Sequence, residues 1–590
     1  MSDEPASPIT AEALAAVIEK AEATGAAAIA KQDFEGAKDV YAELLSLQPG
    51  NPAALCGLGA VAVHVGDLTN AEMLFRKAAE NAPQLATPSR CLAALYLNQG
   101  RLPKARRMIE KARALAPDDP DLAFLEATVH QKAGQPAAQE KAMTEALELD
   151  PDHLEALVSM GVLAIAKGKV ESALAFFERA AANPEAGGTV HINKANALIA
   201  LERLDDAEAG LTSYLASTPD DAKALYTLGM VERRLAKLDD AQLHVEKALA
   251  LGLETADAEN LAGTIAKEQA RYNDAKSHFT AALEIKSDHA SSRSNMGLLK
   301  LLLGDWKDGF ADYEARLSDP NYAQIWGRPP ITRLSGDDPG GKTVVVFSEQ
   351  GFGDSIQFAR YLPLLAAKDG TVIFAVQPEL KRLMEDLDEN VRVVGPDAQL
   401  SGIDLQANLM SLPYLLGVDA PGPGTAYLKA PAPSDAISAL VDGLSGLKVG
   451  IVNAGSKKHM EDRKRSIPAD LLAPVAEIDR VLYVDLNVAA EKPVFENAVA
   501  AKSVVSDFAD AAGLIAQLDL VVSVDTAVAH LAGALGVPCL LMLPHVPDWR
   551  WGLEADKTPW YDSVSLYRQP SIGDWVPVID AVAKEIAARA

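Results

Sequence analysis

Proline recurs in this chain on a 34-residue lattice, at Pro49, Pro83, Pro117, Pro151 and Pro219. Glycine keeps the same beat at Gly25, Gly59, Gly161, Gly229, Gly263 and Gly297, and alanine at Ala37, Ala71, Ala105, Ala173, Ala207, Ala241 and Ala275. A fixed period of this length constrains the fold more than any compositional figure. It signals one supersecondary unit repeated many times, each unit stable only when stacked on its neighbours. In the unit from Asn51 to Pro83, Gly59 supplies the small residue where two helices cross and Gly66-Asp67 makes the turn. Ala71 and Phe75 pack the second helix, and Pro83 ends it, because proline lacks an N–H and its ring clashes with a preceding carbonyl. Units starting near residues 18, 52, 86, 120, 154, 188, 222, 256 and 290 give about nine repeats over residues 11–317. Gln139 replaces the expected alanine in one of them, and the last units lack the final proline.

A chain of 590 residues exceeds one hydrophobic core and must divide into at least two folded bodies. Hydrophobic residues make up 49% and aromatics only 5%, as suits an Ala/Leu-rich helical array. The formal charge of -27 opposes wholesale attraction to nucleic acid or to an anionic membrane. Cys56, Cys91 and Cys539 lie far apart in sequence without a CxxC pair, so neither a disulfide framework nor a thiolate metal site is expected, and a reducing cytoplasm fits. Residues 1–10 read as a disordered N-terminus without the pattern of a secretory signal. No apolar run reaches the length of roughly 18 residues that argues for a membrane span. A soluble, cytoplasmic protein is expected.

Trp306, Phe310 and Tyr313 predict a capping helix that seals the array with aromatic rings. Residues 318–341, rich in Pro, Gly and Asp, read as a linker. Beyond it short β-branched runs alternate with helical stretches. Strands are expected at Thr343–Phe347, Thr371–Val376, Val391–Val394, Val449–Val452, Val481–Asp485, Leu520–Val524 and Cys539–Leu543, with helices at Asp354–Ala367 and Ala509–Gln517. Such alternation implies parallel sheets with helices on both faces, in a lobe at 342–430 and a second at 431–590. Ligands then bind beyond the carboxyl ends of the strands.

Three loops stand at such ends. In the first, Gly351 and Gly353 let the backbone approach a ligand, and Asp354 begins a helix, where an aspartate also serves simply as a cap. The second, from Asn453 through Lys457 to Arg463, Arg465 and Ser466, gathers positive charge as a phosphate-receiving loop would, or as a solvated basic loop does. In the third, Asp525 and Thr526 open a helix whose first turn offers free N–H groups, and His530 lies one turn on. The late cluster Trp549, Trp551, Trp560 and Tyr561 fits either a sugar pocket or packing of the C-terminal helix across the lobes.

The repeat period resembles the tetratricopeptide superfamily. The segments GFGDSIQFARYLPLL and DTAVAHLAGALGVP resemble GT-B nucleotide-sugar glycosyltransferases, in particular the heptosyltransferase-like branch fused to tetratricopeptide repeats. The implied fold is an α superhelical tetratricopeptide array followed by an α/β GT-B type domain of two Rossmann-like lobes. The resemblance implies Asp354 as general base, with Asn453, Lys457, Arg463, Arg465, Ser466, Asp525, Thr526 and His530 binding the donor, and it implies no metal and no cofactor. In the related O-linked N-acetylglucosamine transferases, asparagines on the concave face of the array hold the acceptor polypeptide. The matching positions here read Cys91, Ser159, Asn193, Thr227 and Asn295, interrupted by Leu125 and Leu261, so Asn193 and Asn295 are the candidate groove residues.

Among proteins of this layout the chain most resembles bacterial flagellin glycosyltransferases. That resemblance implies transfer of a nonulosonic acid such as pseudaminic acid from a CMP-sugar to serine or threonine of a protein such as flagellin. The residues do not select CMP over UDP, GDP or ADP. Two alternatives stay open at this level: an inactive scaffold with a glycosyltransferase-like fold, and a transferase acting on a non-protein glycan.

Overall fold

The computed structural model describes residues 11–319, 322, 331–442, 446–455, 462–487, 492–553 and 556–590. The expected disorder at residues 1–10 and the candidate Lys457 fall outside them. The chain divides into two compact units, Met1–Lys237 and Leu238–Ala590.

The first unit is helical throughout, in pairs such as Pro52–His64 with Leu68–Asn81 and Leu154–Ala166 with Val170–Ala181. The alanine lattice is fully buried, with Ala37, Ala71, Ala105 and Ala173 each at 0% exposure. The glycine lattice has a steric cause. A Cβ on Gly59 would stand 2.3 Å from the Phe75 ring, and one on Gly161 2.4 Å from Phe177, so each first helix leaves a slot for a ring on its partner. The turns between paired helices repeat with the same period, and each contains a residue of positive φ: Gln32, Gly66, Gly100, Gly134, Gly168, Glu202 and Ala236. Cys56 and Cys91, remote in sequence, meet as free thiols across successive first helices.

The second unit opens with the remaining repeats, whose turns carry Ala270 and Gly304 at positive φ. It continues into two parallel sheets. In the first lobe, β1 (Thr332–Arg333), β2 (Lys342–Phe347), β3 (Gly370–Ala375), β4 (Val391–Val394) and β5 (Leu405–Asn408) lie in the order β1-β5-β2-β3-β4. In the second, β6 (Leu447–Val452), β7 (Val481–Asp485), β8 (Val499–Ala500), β9 (Leu520–Val524), β10 (Cys539–Leu543), β11 (Lys557–Thr558) and β12 (Tyr561–Arg568) run β11-β12-β10-β9-β6-β7-β8. Every pairing is parallel except β11 with β12.

All seven expected strands form, and β1, β5, β8, β11 and β12 are added, β1 within the stretch read as a linker. The first lobe departs from helices on both faces: a loop, not a helix, joins β4 to β5, and Ile331, Leu400 and Ile403 cover Val345, Ile373 and Val394. The long helix expected at Asp354–Ala367 is instead Phe352–Phe358 and Leu362–Ala366, separated by a 3-10 turn, because Pro363 demands a fresh helix start. The C-terminal helix Val576–Arg589 packs Val578, Ile579, Val582 and Ile586 onto the second sheet.

The cap of the array is part of the lobe core. Leu301, Leu302, Phe310 and Tyr313 share one apolar cluster with Val344, Phe358, Leu531 and Trp549. Trp306 meets Trp560 at 5.6 Å and Phe310 meets Trp549 at 6.0 Å, both edge to face, the favoured aromatic geometry. Trp549 and Trp560 therefore pack as the second of the two sequence readings allows, but against the capping helix. Among the described residues no helix is long and apolar enough to cross a membrane.

Candidate functional site

The loop after β2 and the loop after β9 both leave the carboxyl edge of a parallel sheet, and the structure brings them together. The helix Phe352–Phe358 lies against the helix Ala527–Leu535 so closely that a Cβ on Gly353 would be 2.9 Å from the His530 ring and 3.6 Å from the Ala527 Cα. Glycine at 353 is thus required by close approach of the two lobes, not by backbone conformation.

Asp354 occupies the third position of its helix and does accept the expected local hydrogen bond, 2.7 Å from the Gly351 N–H. Its other oxygen receives Arg550 Nη2, which crosses from the second lobe. Arg550 also donates through Nε to Gln357 Oε1 (2.6 Å) and through Nη1 to Asp548 (2.8 Å), and its guanidinium lies 4.5 Å from the Trp549 ring centroid. Burial pushes the Asp354 carboxyl above its ordinary range, while Arg550 and the Gly351 N–H pull against that shift. Its side chain keeps 17% of its surface exposed.

Asp525 and Thr526 stand at the mouth of the opposing helix. Thr526 is the cap residue, yet its hydroxyl is turned to Ser523 Oγ (3.1 Å) and makes no capping bond, so the first turn keeps its positive dipole end uncapped by a side chain. Arg465 donates to the Asp525 carbonyl at 2.7 Å, placing a second cation at the same helix end. The Asp525 carboxyl is pushed up to about 6 by burial and by Asp548, against Arg465 and Arg550. The Trp551 indole lies beside it, with Nε1 short of hydrogen-bond geometry.

The remaining expected residues sit as follows. Asn453 donates to the Ile467 carbonyl at 2.7 Å and accepts the Ile467 N–H at 2.8 Å, bracing the base of its loop. Ser466 accepts the Gly455 N–H at 3.1 Å, and Arg463 is exposed. His530 is 5% exposed, stacked on Trp551 at 5.1 Å and hydrogen-bonded through Nδ1 to the Tyr561 hydroxyl at 3.0 Å. Burial and the nearby Arg550, Arg360 and Arg465 hold its imidazole well below the ordinary pKa, so it is neutral. Asn295 donates to Asn260 Oδ1 at 3.0 Å across successive first helices, and Asn193 is half-buried on the helix Gly188–Ala200. No group of three or more metal-ligating side chains occurs among the described residues.

Asp548, Arg550 and Gln357 have no site role in the sequence reading. The signal for Arg550 was available in hindsight: a cation set between two tryptophans after a strand end, in Asp548-Trp549-Arg550-Trp551, is an unusual place for a solvated charge.

A repeat array joined to two parallel-sheet lobes that face each other across their strand ends defines a repeat-fused α/β protein with its candidate site at the lobe junction. Comparison with known proteins gives that class its particulars. Residues 494–556 match glycosyltransferase family 9 (heptosyltransferase), a stretch that contains Asp525, His530, Asp548 and Arg550. Residues 22–86, 62–128, 124–187 and 164–238 match tetratricopeptide repeat families. The chain is 27% identical to Protein FlbA of Caulobacter vibrioides over 589 residues, covering 90% of this chain and 96% of that one. It is 30% identical to the human Protein O-mannosyl-transferase TMTC1 over 151 residues, 25% of this chain and 17% of that one. Among solved structures it resembles the pilus biogenesis factor PilW (TM-score 0.31, 22% identity, 35% of this chain and 96% of that one). It also resembles the Cut9-Hcn1 complex (TM-score 0.37, 15% identity, 49% and 56%). The chain thus joins tetratricopeptide repeats to a glycosyltransferase-type domain.

Proposed function

We propose that the chain is a protein O-glycosyltransferase of GT-B arrangement, in which the repeats hold a polypeptide and the lobe junction glycosylates it. The observation that carries this reading is the meeting of Asp354, from one lobe, with Arg550, from the other, where the helix Phe352–Phe358 packs on the helix that opens at Thr526 and whose mouth Arg465 reaches through the Asp525 carbonyl. A carboxylate facing two arginines and an open helix end is an arrangement suited to glycosyl transfer from a nucleotide.

In the proposed step the acceptor hydroxyl oxygen attacks the anomeric carbon and gives its proton to Asp354. The bond from that carbon to the phosphate oxygen breaks, and the nucleotide leaves with the bonding pair. A base must reach the proton it takes to within about 2.6–3.2 Å. Arg550 and the Gly351 N–H hold Asp354 in place and oppose the upward shift that burial imposes on it. Arg465 and the N–H groups at Thr526 stabilise charge developing on the phosphate, with Arg463 at the rim; fixed donors in a shielded site act strongly there. Asn453 and Ser466 shape the loop that carries these arginines, and His530 supports Gly353 from behind.

The donor we favour is a CMP-sugar of nonulosonic type, with serine or threonine of flagellin as acceptor and Asn193 and Asn295 on the acceptor groove, in the cytoplasm. Support for these particulars comes from the resemblance in layout. Intact-mass analysis of flagellin and other candidate acceptors co-expressed with this chain tests the reading. A mass increase of one sugar that vanishes with Asp354→Asn supports it; unmodified acceptors with every available nucleotide-sugar refute it.

A further inference from the structure

The residues just before Gly351 are held from outside their own lobe. Glu349 is 0% exposed, and its carboxylate accepts three hydrogen bonds, two from the end of β5 in its own lobe and one from the end of the repeat array. These come from Arg316 Nη2 (2.9 Å), from Asn408 Nδ2 at the end of β5 (2.8 Å) and from the Met410 N–H (2.9 Å). Arg316 belongs to the turn that ends the repeat array, is 4% exposed, and also donates to Ser411 Oγ (2.9 Å) and the Tyr313 carbonyl (3.1 Å). Its guanidinium lies 4.6 Å from the Tyr313 ring centroid. The next loop residue, Gln350, adopts φ of 61°, a left-handed conformation that a side chain disfavours. Its side chain donates to the Tyr313 hydroxyl at 2.7 Å. One residue on, Gly351 donates to Asp354.

We infer that Arg316 and Tyr313, at the end of the repeat array, are positioning residues for the loop that carries Asp354, so that the array is a working part of the transfer site and not only a tether for the acceptor. This rests on the glycosyltransferase reading for its catalytic consequence, but the positioning itself does not. A strained backbone persists only where its surroundings over-determine it. Here Tyr313 and Arg316 supply that determination at Gln350 and Glu349 in succession. A buried ion pair adds little stability as such, but removing one partner leaves a buried charge that must be protonated or expelled. Expulsion of Glu349 would carry Gln350 and Gly351 with it. A shift of the base by about 1 Å is sufficient to cost on the order of a hundredfold in rate.

The test uses the full chain bearing Arg316→Met, Arg316→Lys or Tyr313→Phe, with three readouts: amide hydrogen exchange without donor, calorimetric binding of CMP and UDP, and transfer kinetics. Arg316→Met should speed exchange at residues 349–355 by about tenfold or more while residues 527–535 change by less than about twofold. Nucleotide affinity and the donor KM should hold within about threefold, and kcat should fall by about a hundredfold. Arg316→Lys, which keeps the charge and loses the fork, should lie between, as should Tyr313→Phe. Unchanged exchange at 349–355 in Arg316→Met, or wild-type kcat in that variant, overturns the inference. Should Arg316→Met fail to fold, Arg316→Lys decides by the same exchange measurement. A wild-type chain that binds nucleotide but transfers nothing sinks the enzymatic reading, while exchange still decides the positioning role.

Discussion

Asp525 lets the electrostatics of the lobe junction be measured without knowing the substrate. Its carboxyl is held at about 6, raised first by burial and then by the Asp548 carboxylate, against about 3.9 in an unfolded chain. Below about pH 4 both states carry the proton. As pH rises from 4 to 6 the unfolded chain releases it and the folded chain does not, so stability falls across that window and the loss is complete above it. Two pKa units correspond to about 3 kcal/mol. Asp525→Asn removes the titration, so the variant should gain up to about 3 kcal/mol over wild type at pH 8 and nearly match it at pH 4. His530, neutral in the fold, bends the wild-type curve the other way below its ordinary pKa, so the informative quantity is the difference between the two curves. The assay is urea unfolding followed by tryptophan fluorescence: all six tryptophans lie at or beyond Trp306, inside the second unit, so the signal ignores the first. Parallel curves for the two proteins from pH 4 to 8 would refute the claim that Asp525 is buried against Asp548.

Asp354→Asn should leave calorimetric nucleotide binding unchanged and lower kcat by at least about a hundredfold, the scale of a lost general base; full activity would remove it from the mechanism. Ala270→Gly should stabilise the second unit by about 0.5–1 kcal/mol, the left-handed strain relieved less the extra freedom of glycine in the unfolded chain. Gly66→Ala should cost the first unit a similar amount by far-UV circular dichroism, since the space around Gly66 is open and only its φ of 81° resists a side chain. Truncation should divide at the structural boundary: a chain begun at Leu238 keeps a folded second unit that binds nucleotide. One begun after residue 317 loses Phe310, Tyr313 and Arg316 and should aggregate or fail to bind.

Much of this architecture was legible because periodic burial writes itself into composition. The glycine and alanine beats mark buried places where little room is left for a side chain, as at Gly59 and Gly161 under the Phe75 and Phe177 rings and at the fully buried Ala71 and Ala173. The turns were only partly legible. Gln32, Glu202, Ala236 and Ala270 share the left-handed conformation of the glycines at the same lattice position, held by the helices on either side, so backbone geometry is conserved where residue type is not. The strand β5 escaped because Gln406 and Asn408 are polar; burial is tolerated because Gln406 Nε2 donates to the Ile331 carbonyl and Asn408 donates to Glu349. A polar strand stabilised by partners distant in sequence carries no hydrophobic signature of its own.

The site shows the same division at higher resolution. Loops at strand ends, with glycine and a helix start, are local features, and they marked Gly353, Asp354, Asp525 and Thr526 as candidates on the two loops that the fold brings together. What a local pattern does not contain is which charge answers which. Arg550 reaches Asp354 across 196 residues and Arg316 reaches Glu349 across 33. Both arginines are almost fully buried, a state that for arginine requires paired charge. Their sequence contexts offer aromatic neighbours, Trp549 and Tyr313, that shield the guanidinium faces and leave the edges free to donate. An arginine flanked by aromatics at the end of a strand or of a repeat array is therefore a physical cue to a buried ion pair. In this chain that cue occurs at both residues that fix the position of Asp354, one directly and one through Glu349.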